Sequence, residues 1–199
     1  MTTVLEVPLQ SFKPALLRGL REKFPGAFVR IQTEELAMPT NMDEPGFWKI
    51  MDQFDWKKSD NQAIAAPAIQ ALSQFSSAEI ARFDDLLAEK LHALDGKTFA
   101  LHSGKNWDGE HFSPDEFLYA RCCAVANGRQ FFEKLLANPA LMPKNLTFEP
   151  LLYLASKAWK MKTGEPNYSH VPGTWVETYS NPNGWPGMET PQARISNGL

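Results

Sequence analysis

The chain has no run of about 18 apolar residues, the length a helix needs to cross a bilayer, so no membrane-spanning helix is expected. It has only two cysteines, and they are neighbours, Cys122 and Cys123. Successive side chains on a helix point about 100° apart, so bridging this pair would require leaving the helix. They read as small buried hydrophobes in a reducing compartment, with a redox pair as the lesser alternative. Basic residues are not in excess: 20 Lys and Arg stand against 23 Asp and Glu, for a net charge of −3. A dedicated nucleic-acid-binding domain needs a clustered cationic surface to neutralise phosphates, and this balance argues against one.

Nucleotide and hydrolase motifs are missing as well. Gly96-Lys97-Thr98 matches the last three residues of a phosphate-binding loop, but Leu91 stands where that loop needs its first glycine. The residues before it also pattern as a helix rather than the required strand. There is no G-x-G-x-x-G, no G-x-S-x-G and no HExxH. The opening residues lack a basic stretch and are interrupted by Pro8 and Pro14, so no secretory signal is expected there. Without a secretory route, the glycosylation patterns at Asn145 and Asn167 carry no implication. A cytoplasmic protein with no cofactor and no membrane or nucleic-acid partner is the expectation.

What is present is a globular mixture: 43% hydrophobic, 12% aromatic and 22% charged over 199 residues. A chain of that length buries roughly 70% of its unfolded surface, so neither metal nor disulfide is required for stability. Three regions differ in pattern. Residues 1–40 read as strand, helix, strand: Val4-Leu5-Glu6-Val7 ends at Pro8, residues 13–24 are amphipathic, and Pro25-Gly26 precedes Ala27-Phe28-Val29-Arg30-Ile31. Two strands alone are marginal. A third is therefore expected, from a partner or from residues 174–179, a β-branched and aromatic run.

Residues 41–164 pattern as a helical domain. Asp43 and Glu44 suit a helix start before Phe47, Trp48, Ile50 and Met51. Pro67 predicts either a kink or a fresh start within an Ala-rich stretch. Ser76-Ser77-Ala78-Glu79 is a capping box, followed by Ile80, Phe83, Leu87, Leu91 and Leu94 at helical spacing. Ser113-Pro114-Asp115-Glu116 is a second start signal. Arg129 follows Gly128 at the next start, and a last helix over residues 148–162 closes at Gly164. Residues 165–199 are rich in Pro, Gly and Asn, yet carry Tyr168, Trp175, Tyr179 and Trp185, which predicts an ordered arm packed on the body. The expected fold class is mainly α, an α+β arrangement with a small N-terminal strand–helix–strand unit.

Metal-type residues gather around one loop: His92, Asp95, His102, Asp108, Glu110 and His111. His92 and Asp95, three apart, would share a helix face. Their spacing matches no known ligand motif, and a solvated helix end explains them equally well. Trp107 in the same loop is either a core anchor or an exposed binding residue. Arg121, on an apolar face, is expected to be part-buried and paired, with Glu116 or Asp84 as candidates. Arg129 opposes its helix dipole, a hint of a partner. Asp52, Asp55, Asp60, Asp84, Asp85 and Glu89 form an acidic set that would steer a basic partner or simply face solvent.

The stretches FWKIMDQ, FDDLLAEKLHALD, SPDEFLYARCCAVANGRQFFEKLLANP and FEPLLYLASKAWKMKTGEP resemble an uncharacterised bacterial family, domain of unknown function number 4240, between Met42 and Glu165. The resemblance implies a bacterial accessory protein, some members being of a kind that serve as immunity proteins to toxins, and transfers no catalytic residues. The preferred expectation is a non-enzymatic protein-binding domain using Asp52, Asp55, Asp84, Asp85, Glu89, Trp107 and Arg129. The alternative is a metal-assisted hydrolase using His92, Asp95, His102, Asp108 and His111. A homodimer through the N-terminal sheet is a third arrangement.

Overall fold

Thirteen residues from Pro114 to Ala126 form the most deeply buried helix, with nine of them buried. A helix apolar on every side has no solvated face to offer and must sit among neighbours. The computed structural model describes residues 18, 22–24, 41–104 and 112–187. The chain divides into two compact units, Met1–Ala37 and Met38–Leu199. In the first, Arg18, Glu22 and Lys23 are helical.

In the second unit, α1 (Glu44–Met51) is capped by Asp43, whose carboxylate accepts the Gly46 N–H at 2.8 Å, and it buries Phe47, Trp48, Ile50 and Met51. Helix α2 (Asn61–Ser73) is capped by Asp60 and runs through Pro67 as one element. Helix α3 (Ser77–Ala93) starts at the expected capping box: Ser76 Oγ accepts the Glu79 N–H at 3.3 Å, and the Glu79 carboxylate accepts the Ser76 N–H at 2.8 Å. A single turn, α4 (Lys97–Ala100), follows, and then the central α5 (Pro114–Ala126), capped by Ser113. Gly128, at φ +87°, takes a backbone conformation that side-chain-bearing residues rarely adopt and lets α6 (Arg129–Ala137) begin directly after α5. The last expected helix begins as a 3-10 turn (Glu149–Tyr153) that runs into α7 (Leu154–Thr163), closed by Gly164 in the left-handed region. Helix α7 packs along α2 and α3, and α5 lies against α3, α6 and the 3-10 turn. The core joins Phe47, Phe83, Phe117, Leu91 and Leu151 with Trp185 from the C-terminal segment.

The mixed α+β expectation is corrected. Among the described residues there are helices and turns and no strand. The two N-terminal strands, residues 4–7 and 27–31, lie outside the described residues, and no strand–helix–strand unit is shown. Residues 174–179 are irregular chain. Their β-forming side chains are overridden by tertiary bonding, because the carbonyls of Trp175 and Val176 face His92 and Arg121 rather than a neighbouring strand.

Ser76→Ala removes one half of the α3 capping box. It is expected to cost about 1 kcal/mol and to lower Tm by roughly 2–4 °C, measured by calorimetry.

Candidate functional site

Two ionisable side chains with no exposed surface at all, Asp95 and Arg121, organise the region where the C-terminal segment meets the helices. Asp95 follows the end of α3. Its Oδ1 accepts the Trp185 indole N–H at 2.8 Å and the Tyr179 N–H at 3.2 Å. Its Oδ2 accepts the Asn181 N–H at 2.9 Å and lies 3.2 Å from Ser180 Oγ. A carboxylate buried at this depth is tolerated because donors occupy both oxygens. Arg121 projects from α5, donates to the Leu91 carbonyl and the Val176 carbonyl, each at 2.9 Å, and to Thr178 Oγ1 at 3.0 Å. Thr178 donates onward to the Pro114 carbonyl at 2.7 Å. Burial pulls the guanidinium below its ordinary value, and the charge of Asp95 opposes that shift.

The backbone of the segment is shaped to these bonds. Tyr179 takes φ +74°, a costly conformation for an aromatic residue. Its ring lies edge-on to Trp185, with centroids 4.6 Å apart. Gly184 approaches so closely that a Cβ there would stand 2.0 Å from the Asp95 carbonyl oxygen, and the Lys97 N–H donates to the Gly184 carbonyl at 2.8 Å.

The proposed metal ligands are therefore placed as follows. Asp95 is surrounded by donors, and His92 Nδ1 lies 3.1 Å from the Trp175 carbonyl and 3.3 Å from Ser180 Oγ. His102 is exposed. Among the described residues no three of His, Cys, Asp and Glu gather as ligands for an ion. Trp107, Asp108, Glu110 and His111 lie outside the described residues. An open hollow of about 440 Å³ beside Asp95 is lined by Gly96, Lys97, Thr98, Phe99 and Pro186. Cys122 is fully buried, and its thiol is pushed up to about 12 by that burial.

The members of the acidic set have different local partners. Asp55 accepts the Lys57 N–H and Asp60 the Ala63 N–H, so both act as turn and cap residues. Asp52 is exposed beside Gly128 at the start of α6. Arg129, also exposed, donates to Glu133 at 2.7 Å, and Glu89 pairs with Arg82 at 3.2 Å.

Asp84 and Asp85 enter a second cluster with Tyr168, expected only as an aromatic that packs the arm on the body, and with His170, which the sequence does not single out. His170 Nε2 stands 2.9 Å from Asp85 Oδ1, and the ring of Tyr168 packs between His170 and Trp159. Burial pushes the Asp84 carboxyl up to about 6; the Tyr168 hydroxyl and His170 pull it back, and Asp85 adds to the rise. No motif could have exposed this arrangement, because its members come together from α3 and from irregular chain some 85 residues later.

A third feature is an aromatic surface. Trp56, 50% exposed, is seated against Phe54 and Phe148, with ring centroids 5.6 and 5.2 Å away. Leu146 and Tyr153, in the chain on either side of Phe148, are 58% and 46% exposed. The Phe148 N–H donates to the Tyr119 carbonyl at 3.0 Å, and Tyr153 donates to Glu149 at 3.2 Å.

These features define a helical domain whose C-terminal segment is fastened by buried charge and whose aromatic surface is left uncovered. The chain belongs to the family described as protein of unknown function (DUF4240), whose model matches residues 42–161. No curated protein and no solved structure matches the chain.

Asp95→Ala leaves the Trp185, Asn181 and Tyr179 N–H groups without their acceptor and Arg121 without its countercharge. The expected loss is about 3–5 kcal/mol, read as a lower urea midpoint, with faster proteolytic cutting between residues 175 and 187; a wild-type midpoint contradicts the assignment. For Asp84 the folded pKa lies above the ordinary value. Its contribution to stability is fully present below about pH 4 and is lost as pH rises through about 6. Wild type is expected to weaken by about 2 kcal/mol relative to Asp84→Asn between about pH 4 and pH 7, measured by denaturant titration at each pH.

Proposed function

We propose that this chain is a non-enzymatic protein-binding domain, of the immunity type that holds a bacterial toxin or another protein partner in a stoichiometric complex. The observation that carries the reading is Trp56, half exposed yet held by Phe54 and Phe148. A tryptophan kept rigid before binding presents a large apolar area at little ordering cost, which is the character of a residue that dominates an interface. Leu146 and Tyr153, either side of Phe148 in the chain, are likewise about half exposed.

The polar groups support the same reading. Asp95, Arg121 and His92, the groups in this region with the most chemistry to offer, bond to the chain's own backbone and side chains. Acidic residues at Asp52 and Glu149 stand on the exposed exterior, where they contribute to recognition and association rate more than to raw affinity.

Co-purification of the tagged full chain from its native host is expected to recover one protein at fixed stoichiometry. Trp56→Ala is expected to weaken that complex by about thirtyfold, the equivalent of roughly 2 kcal/mol, with Leu146→Ala weakening it less. Calorimetry and circular dichroism of the free variants establish that both remain folded. A complex indifferent to Trp56→Ala, or no stoichiometric partner at all, contradicts the reading.

A further inference from the structure

Between the end of α7 and the Asp95 anchor, the chain is tied to the helices at few points. Gly164 closes α7, and the next fixed carbonyl is that of Trp175, which lies 3.1 Å from His92 Nδ1 and accepts from Ser180 Oγ at 3.0 Å. Among the described residues, no backbone hydrogen bond joins residues 166–174 to the body. Pro166 and Pro172 have no N–H to give, and Val171 is 82% exposed. Side chains hold this strap instead. Tyr168 packs its ring on Trp159 of α7, with centroids 5.8 Å apart, and His170 Nε2 reaches Asp85 Oδ1 of α3 at 2.9 Å. The Trp159 indole N–H is buried with no hydrogen-bond partner. A buried donor without an acceptor makes closure costly, and a segment with few backbone bonds opens before the rest of a domain does.

We propose that residues 165–174 are a pH-governed strap. In acid it is closed on Trp159, with protonated His170 against Asp85 and a neutral Asp84 beside Tyr168; as pH rises through neutrality it lifts, hinged at Gly164 and Gly173, while the Asp95 anchor stays in place. Both titrating groups push the same way. The His170–Asp85 contact is an ion pair only while the imidazole is protonated, and imidazoles ordinarily change charge between pH 5 and 8. Burial, first of all, holds the Asp84 carboxyl up to about 6, so ionising it in the closed strap forfeits hydration that lifting restores. Its support for closure is therefore full below about pH 4 and fades as pH rises through about 6. The other groups acting on Asp84 are Asp85 of its own helix and Tyr168 and His170 of the strap. Elsewhere on α3, Arg82 pairs with Glu89. On the helices packed against α3, Lys157 of α7 bonds to Gln62, Lys160 and Lys162 are exposed, and Glu44 of α1 pairs with Lys90 while Lys49 is exposed. On α5, Arg121 is held by carbonyls, and Asp115 and Glu116 stand in the first turn. The hinges fit the motion: Gly164 sits at φ +77°, and at Gly173 nothing lies within 4 Å of the position a Cβ would take.

The test follows two buried indoles by nuclear magnetic resonance in the isotope-labelled full chain. Solvent exchange of the Trp159 indole N–H reads the strap, and that of the Trp185 indole N–H, bound to Asp95, reads the anchor. Each rate is corrected for the intrinsic pH dependence of indole exchange. Between about pH 5 and about pH 7.5, protection at Trp159 is expected to fall about tenfold through Asp84 alone, and further through His170. Protection at Trp185 should hold within about twofold. Asp84→Asn should remove most of the fall at Trp159, and Asp84→Asn with His170→Gln should flatten it to within about twofold. Glu89→Gln, an exposed change on the same helix, should leave the wild-type dependence intact. Circular dichroism at both pH values establishes that each variant is folded. Protection at Trp159 that is flat or rises with pH in the wild type, an equal fall at Trp185, or a fall that survives in the double variant each overturns the proposal.

Discussion

A carboxylate and a guanidinium, both without solvent contact, hold the C-terminal segment to the helices. Asp95 gathers donors from residues 179–185, and Arg121 reaches the carbonyls of Leu91 and Val176. Each charge would be costly if its partners withdrew, because an unpaired ion in a low-dielectric interior forfeits its hydration with no return. The penalty makes the arrangement all-or-none. The segment therefore has a single register on the helices, which an apolar face alone would not impose.

That constraint explains why a turn is drawn so tightly. Gly184 lies against the Asp95 backbone at a distance no side chain would permit, and Tyr179 accepts a left-handed conformation so that its N–H points at Oδ1. Trp185 can then fill the core beside Phe117, with ring centroids 6.1 Å apart, while its indole N–H is satisfied. The same fastening separates two kinds of surface. Around Asp95 the polar groups are turned inward, whereas around Trp56 aromatic area remains outward, over a rigid seat of Phe54 and Phe148.

Local signals were legible to the extent that they are local. The capping box at Ser76, the start at Ser113, the stop at Gly164 and the apolar stripe of Ile80, Phe83, Leu87 and Leu91 depend on bonds and spacings within a few residues, and each stands in the structure. Residues 174–179 failed for the complementary reason. Strand propensity measures how a side chain suits a pleated, half-buried surface, and here no sheet edge is offered while Arg121 and His92 take the carbonyls. In sequence Asp95 is a metal-type residue three positions from His92. Its donors are more than 80 residues away, beyond the reach of any spacing argument.

From the sequence alone came the longer helices, the starts at Ser76 and Ser113, the stop at Gly164 and the likeness to the DUF4240 family over the body, because periodicity and capping are properties of neighbouring residues. Tertiary structure decided which charges are buried and which aromatics stay uncovered. Nothing in the run from Asp52 to Asp60 says that Trp56 faces outward on a seat built by Phe148, nor does Leu94-Asp95-Gly96 announce an indole from Trp185. Both depend on surfaces that exist only once distant segments have met, and the cost of desolvating a group is set by everything that surrounds it.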